Sequence, residues 1–435
     1  MSALAAEPPG AAVNRKLIEL LGAAAVGLGV FLSGFVIREP APFDLFMAAL
    51  IAVWALFGLR LSRSVMPLLV LLVLFNLGGL VSMSQLADLG DTPLYIAVSF
   101  FLALIAVFFA AVLEARPHYF PLIFKAWVAA ACGTSLLGIA GYFHAFPGAG
   151  MFTVYSRAAG AFQDPNVFGP FLVAPALFLL HGILTDRLRR LSLYTLPLLV
   201  IAAGLFLSFS RGAWGLFAVS AAMMMGALFL RSRSNAFRLR IALMGAAAAA
   251  LLILAVLVVL QLPGVAELFE TRAQVVQDYD GARLGRFARH LLGFQLALEH
   301  PFGIGLLMFD DLYGEDTHNI WLKAILEYSW LGFASYVALI LWTLGAGFRI
   351  LFRDRPWQPF LLCAYLALVG HVVLGAVIDT DHWRHFYLLL GLVWGAIALE
   401  RRRQRGFLAG ASMRRPPNGV DPAAVSPYIP ARFGA

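Results

Sequence analysis

Charge is what this sequence has least of: Asp, Glu, Lys and Arg together supply 13% of its 435 residues, about half the share usual in soluble domains. Cysteine is nearly absent too. Cys132 and Cys363 each lie inside an apolar run, which excludes a disulfide framework and leaves both as packing residues. No Walker A loop, Rossmann glycine fingerprint, His-Glu-x-x-His pair or Gly-x-Ser-x-Gly elbow occurs, so the chemistries those motifs carry have no support here. What fills the chain is apolar. It is 61% hydrophobic with a mean hydropathy of +0.83, far more than one soluble core requires, and it reads as an integral membrane protein.

Its apolar stretches approach the roughly 20 residues with which a helix crosses the hydrocarbon layer, and none shows the ten-residue alternation of a barrel strand. The expected fold class is all-α: a polytopic membrane protein with about 12 transmembrane helices and a helical periplasmic segment between the ninth and the tenth. The spans fall at 17–37, 43–59, 65–82, 93–113, 120–142, 166–184, 192–209, 213–230, 241–262, 320–348, 358–378 and 384–399. The start, "MSALAAEPPGAAVNRK", lacks the charged region, apolar core and cleavage site of a signal peptide, so the first span is expected to be retained. Basic residues collect at alternate connections: "NRK", "RLSR", "RPHY", "TDRLRR", "RSRSNAFRLR", "RILFRDR" and "ERRRQR". The positive-inside rule makes these cytoplasmic, along with both termini. The chain then divides into a cytoplasmic N-terminus (1–16), spans one to nine (17–262), a periplasmic helical segment (263–319), spans ten to twelve (320–399) and a cytoplasmic tail (400–435) that reads as disordered from about residue 406. The net charge of +8 anchors helix ends at the membrane in this arrangement and does not call for nucleic acid.

Arginine is scarce on the periplasmic side. Arg157, Arg211, Arg272, Arg283, Arg286 and Arg289 run against the orientation signal and need another reason to be there. Within the long external segment, Asp280 can cap a helix from Ala282 to Glu299, which "HPFGIG" stops with its proline and glycines. Leu284, Phe287, Leu291, Phe294 and Leu298 form one apolar stripe on it, expected to rest on the membrane domain, while Arg286 and Arg289 project roughly from the other side and Arg283 and His290 flank them. A cationic face of this kind is either solvated, bound to lipid phosphates, or a clamp for a phosphorylated substrate, since the guanidinium fork matches phosphate oxygens and keeps its charge.

Further on, Gly303, Gly305 and Gly314 let the backbone turn tightly enough to set His318 and Asn319 at the outer mouth of the tenth span. An imidazole can take a proton from a hydroxyl near neutral pH, and an amide can orient a polar ligand. The architectural alternative is a helix cap or an interfacial hydrogen-bonding residue. "GAFQDPNVFGPFLV" places Asp164 and Asn166 in turn chemistry at the entry to the sixth span, equally consistent with architecture and binding. "LSFSRGAWG" holds Arg211 in a very short external turn, where it either snorkels to headgroups or serves a function. Asp379 and Asp381 of "DTDHW" have a spacing that can hold a divalent cation, but two ligands are a weak signal, and no metal site or cofactor is expected.

In this order and with these separations, "GAFQDPN", "FSRGAWG", "GRFARHLLGFQLALEHPFGIG" and "THNIWL" resemble the O-antigen ligase and polymerase superfamily of bacterial membrane glycosyltransferases, over roughly residues 120 to 400. The resemblance implies a multi-pass protein of the bacterial inner membrane with its active site facing the periplasm. It implies a glycan donor linked to undecaprenyl pyrophosphate and an acceptor that is either lipid A-core or a growing glycan. It also implies transfer without a metal and with inversion. Carried over by motif, His318, Arg211 and Arg286 take the catalytic places, with Arg283, Arg289, Arg157, Asn319, Asp164 and Asn166 as candidate substrate contacts. This sequence departs in carrying Arg283 and Arg289 about one turn on either side of Arg286, and which of the three fills the family's place stays open. The rival readings are a twelve-helix transporter, which would show two related halves and charges near the midplane, and a lipid-linked-glycan flippase or scaffold that binds without chemistry.

Overall fold

The computed structural model describes residues 9–58, 60–186, 190–259, 261 and 286–413. The described chain is helical: α1 (Pro9–Leu32), α2 (Pro42–Leu56), α3 (Met66–Met83), α4 (Thr92–Ala115), α5 (Tyr119–Tyr142), α6 (Pro165–Phe171), α7 (Val173–Thr185), α8 (Leu191–Leu207), α9 (Arg211–Arg231), α10 (Asn235–Val259), α11 (Arg286–Glu299), α12 (Met308–Tyr313), α13 (Ile320–Glu327), α14 (Ser329–Leu351), α15 (Gln358–Leu374) and α16 (Arg384–Met413). Proline opens α2, α3, α4, α6 and α15 in the first turn, where its missing N–H removes no intrahelical bond. The exception to helix is a hairpin of β1 (Thr153–Val154) and β2 (Arg157–Ala158). Its turn residues Tyr155 and Ser156 both have positive φ, as a tight two-residue hairpin turn requires.

Among the described residues, six helical stretches are long and apolar enough to cross a membrane: Met66–Met83, Thr92–Ala115, Tyr119–Tyr142, Pro165–Thr185, Arg211–Arg231 and Ser329–Leu351. Three shorter apolar helices accompany them: α2, α8 and α15. Leu193, Leu196 and Leu199 of α8 lie exposed along one flank, a surface that suits acyl chains and not water. This is a multi-pass helical membrane protein.

Small residues set the closest packing. A Cβ on Gly391 of α16 would stand 2.8 Å from the Ala106 carbonyl of α4, and one on Gly78 of α3 would stand 2.3 Å from the carbonyl of Tyr328 at the head of α14. Backbones approach this closely in membranes because van der Waals contact and not water exclusion holds helices together there. The basic connections meet at one end of the bundle: Arg353 and Arg355 both pair with Glu400, Arg402 bonds the Glu114 carbonyl, and Arg405 reaches Ser64. At the other end Arg384 pairs with Asp44 and Glu39, and the candidate functional residues lie in the connections there.

Two expectations are corrected. The tenth stretch, 320–348, is not one helix: it breaks between α13 and α14, where Ser329 takes φ +63°. The break lets Tyr328 stack on Phe75 and send its hydroxyl to Asp381, so local packing overrides the continuous apolar pattern. The second correction concerns α11, whose apolar stripe does not rest on the bundle. Leu291, Phe294 and Leu298 are exposed, whereas Arg289 and Ala297 are buried. Glycine and alanine let the opposite face approach closely: Gly293 lies against Leu322 of α13, and the Ala297 carbonyl accepts from the Trp330 indole. Residues 282–285, with Asp280, Leu284 and Arg272, lie outside the described residues.

Candidate functional site

The end of the bundle opposite the basic connections concentrates backbone strain: His144, Tyr155, Ser156, Phe209, Leu307 and His318 all take positive φ without being glycine. Such conformations persist only where the surroundings hold them, and they mark sites more often than scaffolds. One strained turn precedes Arg211. Phe209 has φ +46°, Ser210 caps α9 by accepting from the Ala213 N–H, and Arg211 is the first residue of the helix. A cation at the positive end of a helix dipole is unfavourable to that helix. Arg157, buried behind this turn, donates from Nε to the Ser208 carbonyl and from Nη2 to Asn166 Oδ1, each at 2.8 Å. Asp164 caps α6 by accepting from the Asn166 N–H. The "GAFQDPN" and "FSRGAWG" motifs thus form one joint, in which Arg157 and Asn166 buttress the turn that presents Arg211.

His318 is held from three sides. His290 of α11 donates through Nε2 to the Thr317 carbonyl at 2.9 Å. Asn319 caps α13, its Oδ1 accepting from the Trp321 and Leu322 N–H groups. The Ile320 N–H donates to the Gly375 carbonyl at the end of α15. Under these restraints His318 keeps φ +50°. The same end of α15 touches the arginine turn, since a Cβ on Gly212 would sit 2.7 Å from Leu374 Cδ1. The residue after Arg211 and the helix that His318 precedes thus both touch the C-terminal end of α15.

The partner of His318 is a residue that sequence reasoning weighed only as a metal ligand. Asp379 Oδ2 lies 3.8 Å from His318 Nδ1, beyond a hydrogen bond but close enough for a small side-chain rotation to make one. Burial, against the pull of Lys323, pushes the Asp379 carboxyl up to about 7. Asp381, the other acid of the pair, turns away to Tyr95, Tyr328 and His382. Burial opposes its charge as well, but Lys323, His382 and the Tyr95 hydroxyl outweigh that and hold it well below the usual carboxylate range. The available signal was the Asp-x-Asp spacing itself; only the fold shows that one acid faces His318 and the other faces Tyr95, Tyr328 and His382.

Other sequence candidates land differently. Arg289 is buried and ion-paired with Glu315, which ties α11 to the loop carrying His318 and leaves no cationic face at that position. Asn319 spends its carbonyl oxygen as a cap. Arg286 opens α11, and its side chain lies outside the described residues, as does all of Arg283.

Fold and site define a multi-pass helical membrane protein that carries, at the end opposite its basic connections, an arginine at a helix start and an imidazole beside a carboxyl group. Residues 196–337, about a third of the chain, match the Wzy_C family, described as O-antigen ligase. The matched stretch runs from α8 into α14 and includes Arg211, Arg286 and His318, and it supports the O-antigen ligase/polymerase superfamily to which the motifs pointed. No curated protein matches the chain.

Proposed function

We propose that this protein transfers a glycan from polyprenyl pyrophosphate to an acceptor hydroxyl on the periplasmic face of the inner membrane. The observation that carries the proposal is the His318–Asp379 pair at the mouth that also presents Arg211, inside or beside the stretch that matches the family. In this reading the spans number twelve, both termini are cytoplasmic, and the segment 263–319 is periplasmic. Ligase and polymerase share these residues; the acceptor is lipid A-core in one and a growing glycan in the other.

The chemistry follows from the groups. His318 Nε2 takes the proton of the acceptor hydroxyl while Asp379 accepts from Nδ1–H and fixes the tautomer. The acceptor oxygen attacks the anomeric carbon, the bond from that carbon to the phosphate oxygen breaks, and the electron pair leaves with the diphosphate. Arg211 and Arg286 meet the charge growing on that diphosphate, which serves the role a metal would otherwise fill. Attack from the face opposite the leaving group inverts the anomeric centre. Arg157 and Asn166 act behind Arg211, and Arg283 stands near enough in sequence to Arg286 to share its place.

The test uses purified protein in lipid nanodiscs with lipid-linked donor and acceptor. Wild type releases polyprenyl pyrophosphate and forms the glycosidic product, and His318→Ala abolishes both while donor binding survives. Donor binding without any release by the wild type would instead identify a flippase or scaffold. A product ladder marks a polymerase, and single additions mark a ligase.

A further inference from the structure

Beside the His318–Asp379 pair lies a buried charge cluster that the transfer step as described does not use. Lys323 of α13, one turn after the Asn319 cap and 3% exposed, places its ammonium against Asp316 Oδ2 at 2.5 Å and within 3.8 Å of Glu327 Oε2. It stands 5.4 Å over the ring of Tyr95, whose hydroxyl donates to Asp381 at 2.6 Å. Glu327 is fully buried; its Oε2 accepts from the Leu307 N–H, while its Oε1 finds no partner among the described residues. Asp316 and Glu327 thus contact one ammonium, and Asp379 and Asp381, from the loop after α15, interact with its charge. His318 and His382 border the group, with Tyr95 and Tyr328 on its remaining sides.

We propose that Lys323 is a positioning residue for the transfer: its buried ammonium is the fixed counter-ion that keeps Asp379 ionised beside His318. The inference rests on the reading of His318 as the base. Four acids in a low-dielectric pocket cannot all ionise against a single cation. Asp381 keeps its charge through Lys323, His382 and the Tyr95 hydroxyl. Burial pushes Asp379 up to about 7 against the pull of Lys323, so the ammonium bears on whether a carboxylate or a carboxylic acid faces the imidazole. The carboxylate can only accept, which holds the proton on Nδ1 and leaves Nε2 free for the acceptor proton, whereas the acid can donate to Nδ1 and turn the imidazole to the other tautomer. Asp316 works the other way, since its own charge raises Asp379.

The experiment is a pH–rate profile from about pH 5.5 to about 9.5 on the nanodisc protein with lipid-linked donor. Without the ammonium, Asp379 ionises only at higher pH. Lys323→Met therefore moves the acid limb upward by a unit or more, lowers kcat at neutral pH about tenfold per unit, leaves KM for the donor near wild type, and recovers rate at alkaline pH. Lys323→Arg keeps the limb in place. Asp316→Asn, at a partly exposed position, moves the limb downward. Folding is checked by size exclusion and circular dichroism. A folded Lys323→Met with an unmoved limb overturns the proposal. Should that variant not fold, Asp316→Asn decides alone, and an unmoved or upward limb overturns it. His318→Ala with full rate sinks the parent reading and this one with it; an inactive His318→Ala beside an unmoved Lys323→Met limb sinks only this one.

Discussion

Asp379 and His318 belong to loops about sixty positions apart in sequence and meet at 3.8 Å. An acid near neutrality beside a base has a measurable consequence. As pH falls through about 7, a proton binds Asp379, the charge that fixes the proton on Nδ1 and supports the imidazolium is lost, and the rate drops. Asp379→Asn keeps shape and removes charge, so kcat is expected to fall about 10²-fold or more with KM for the donor little changed, within the range that positioned acid–base groups contribute. Steady-state kinetics on lipid-linked donor check this; a kcat within a few-fold of wild type would leave Asp379 a structural acid. Histidine and both arginines of the motifs were visible in the sequence because polar residues on an apolar chain stand out. The acid was not, because "DTDHW" offers two equivalent carboxylates and nothing local says which one turns toward the imidazole.

Among the elements, the α13–α14 break and the facing of α11 do most to shape the site. Gly78 and Gly332 let α3 and the head of α14 meet backbone to backbone, and that contact fixes Tyr328 under Asp381. Gly78→Val has to push apart main-chain atoms that no rotamer change can move. It is expected to cost about 1–3 kcal/mol by overpacking and to lower activity through displacement of the Asp381 loop. Denaturation of the detergent-solubilised protein measures the first effect, and donor turnover the second. The helix of α11 was legible from its 3–4 residue periodicity, but its facing was not. In water an apolar stripe turns inward; beside a bilayer it can equally turn outward, and the buried face is then chosen by small residues and by the Arg289–Glu315 pair.

For the whole molecule, the sorting of charge is the organising fact. The basic connections gather at one end through Glu400, Glu114 and Ser64, and the candidate site occupies the other. Single-cysteine variants at the exposed positions Tyr155 and Arg403 read this out against a background with Cys132 and Cys363 replaced. In spheroplasts a membrane-impermeant maleimide is expected to label position 155 directly and position 403 only after permeabilisation; the reverse pattern would invert the proposed orientation. Helical class, membrane residence and the motifs of the superfamily were set by the sequence alone, because hydropathy over twenty residues and short polar motifs are local properties. Four things were decided by tertiary structure: which acid serves His318, that Lys323 sits among the carboxylates, that the tenth stretch breaks at Tyr328, and that α11 turns its apolar side out. Each depends on contacts between segments distant in the chain, where packing space and the cost of burying charge, and not residue type, select the partner.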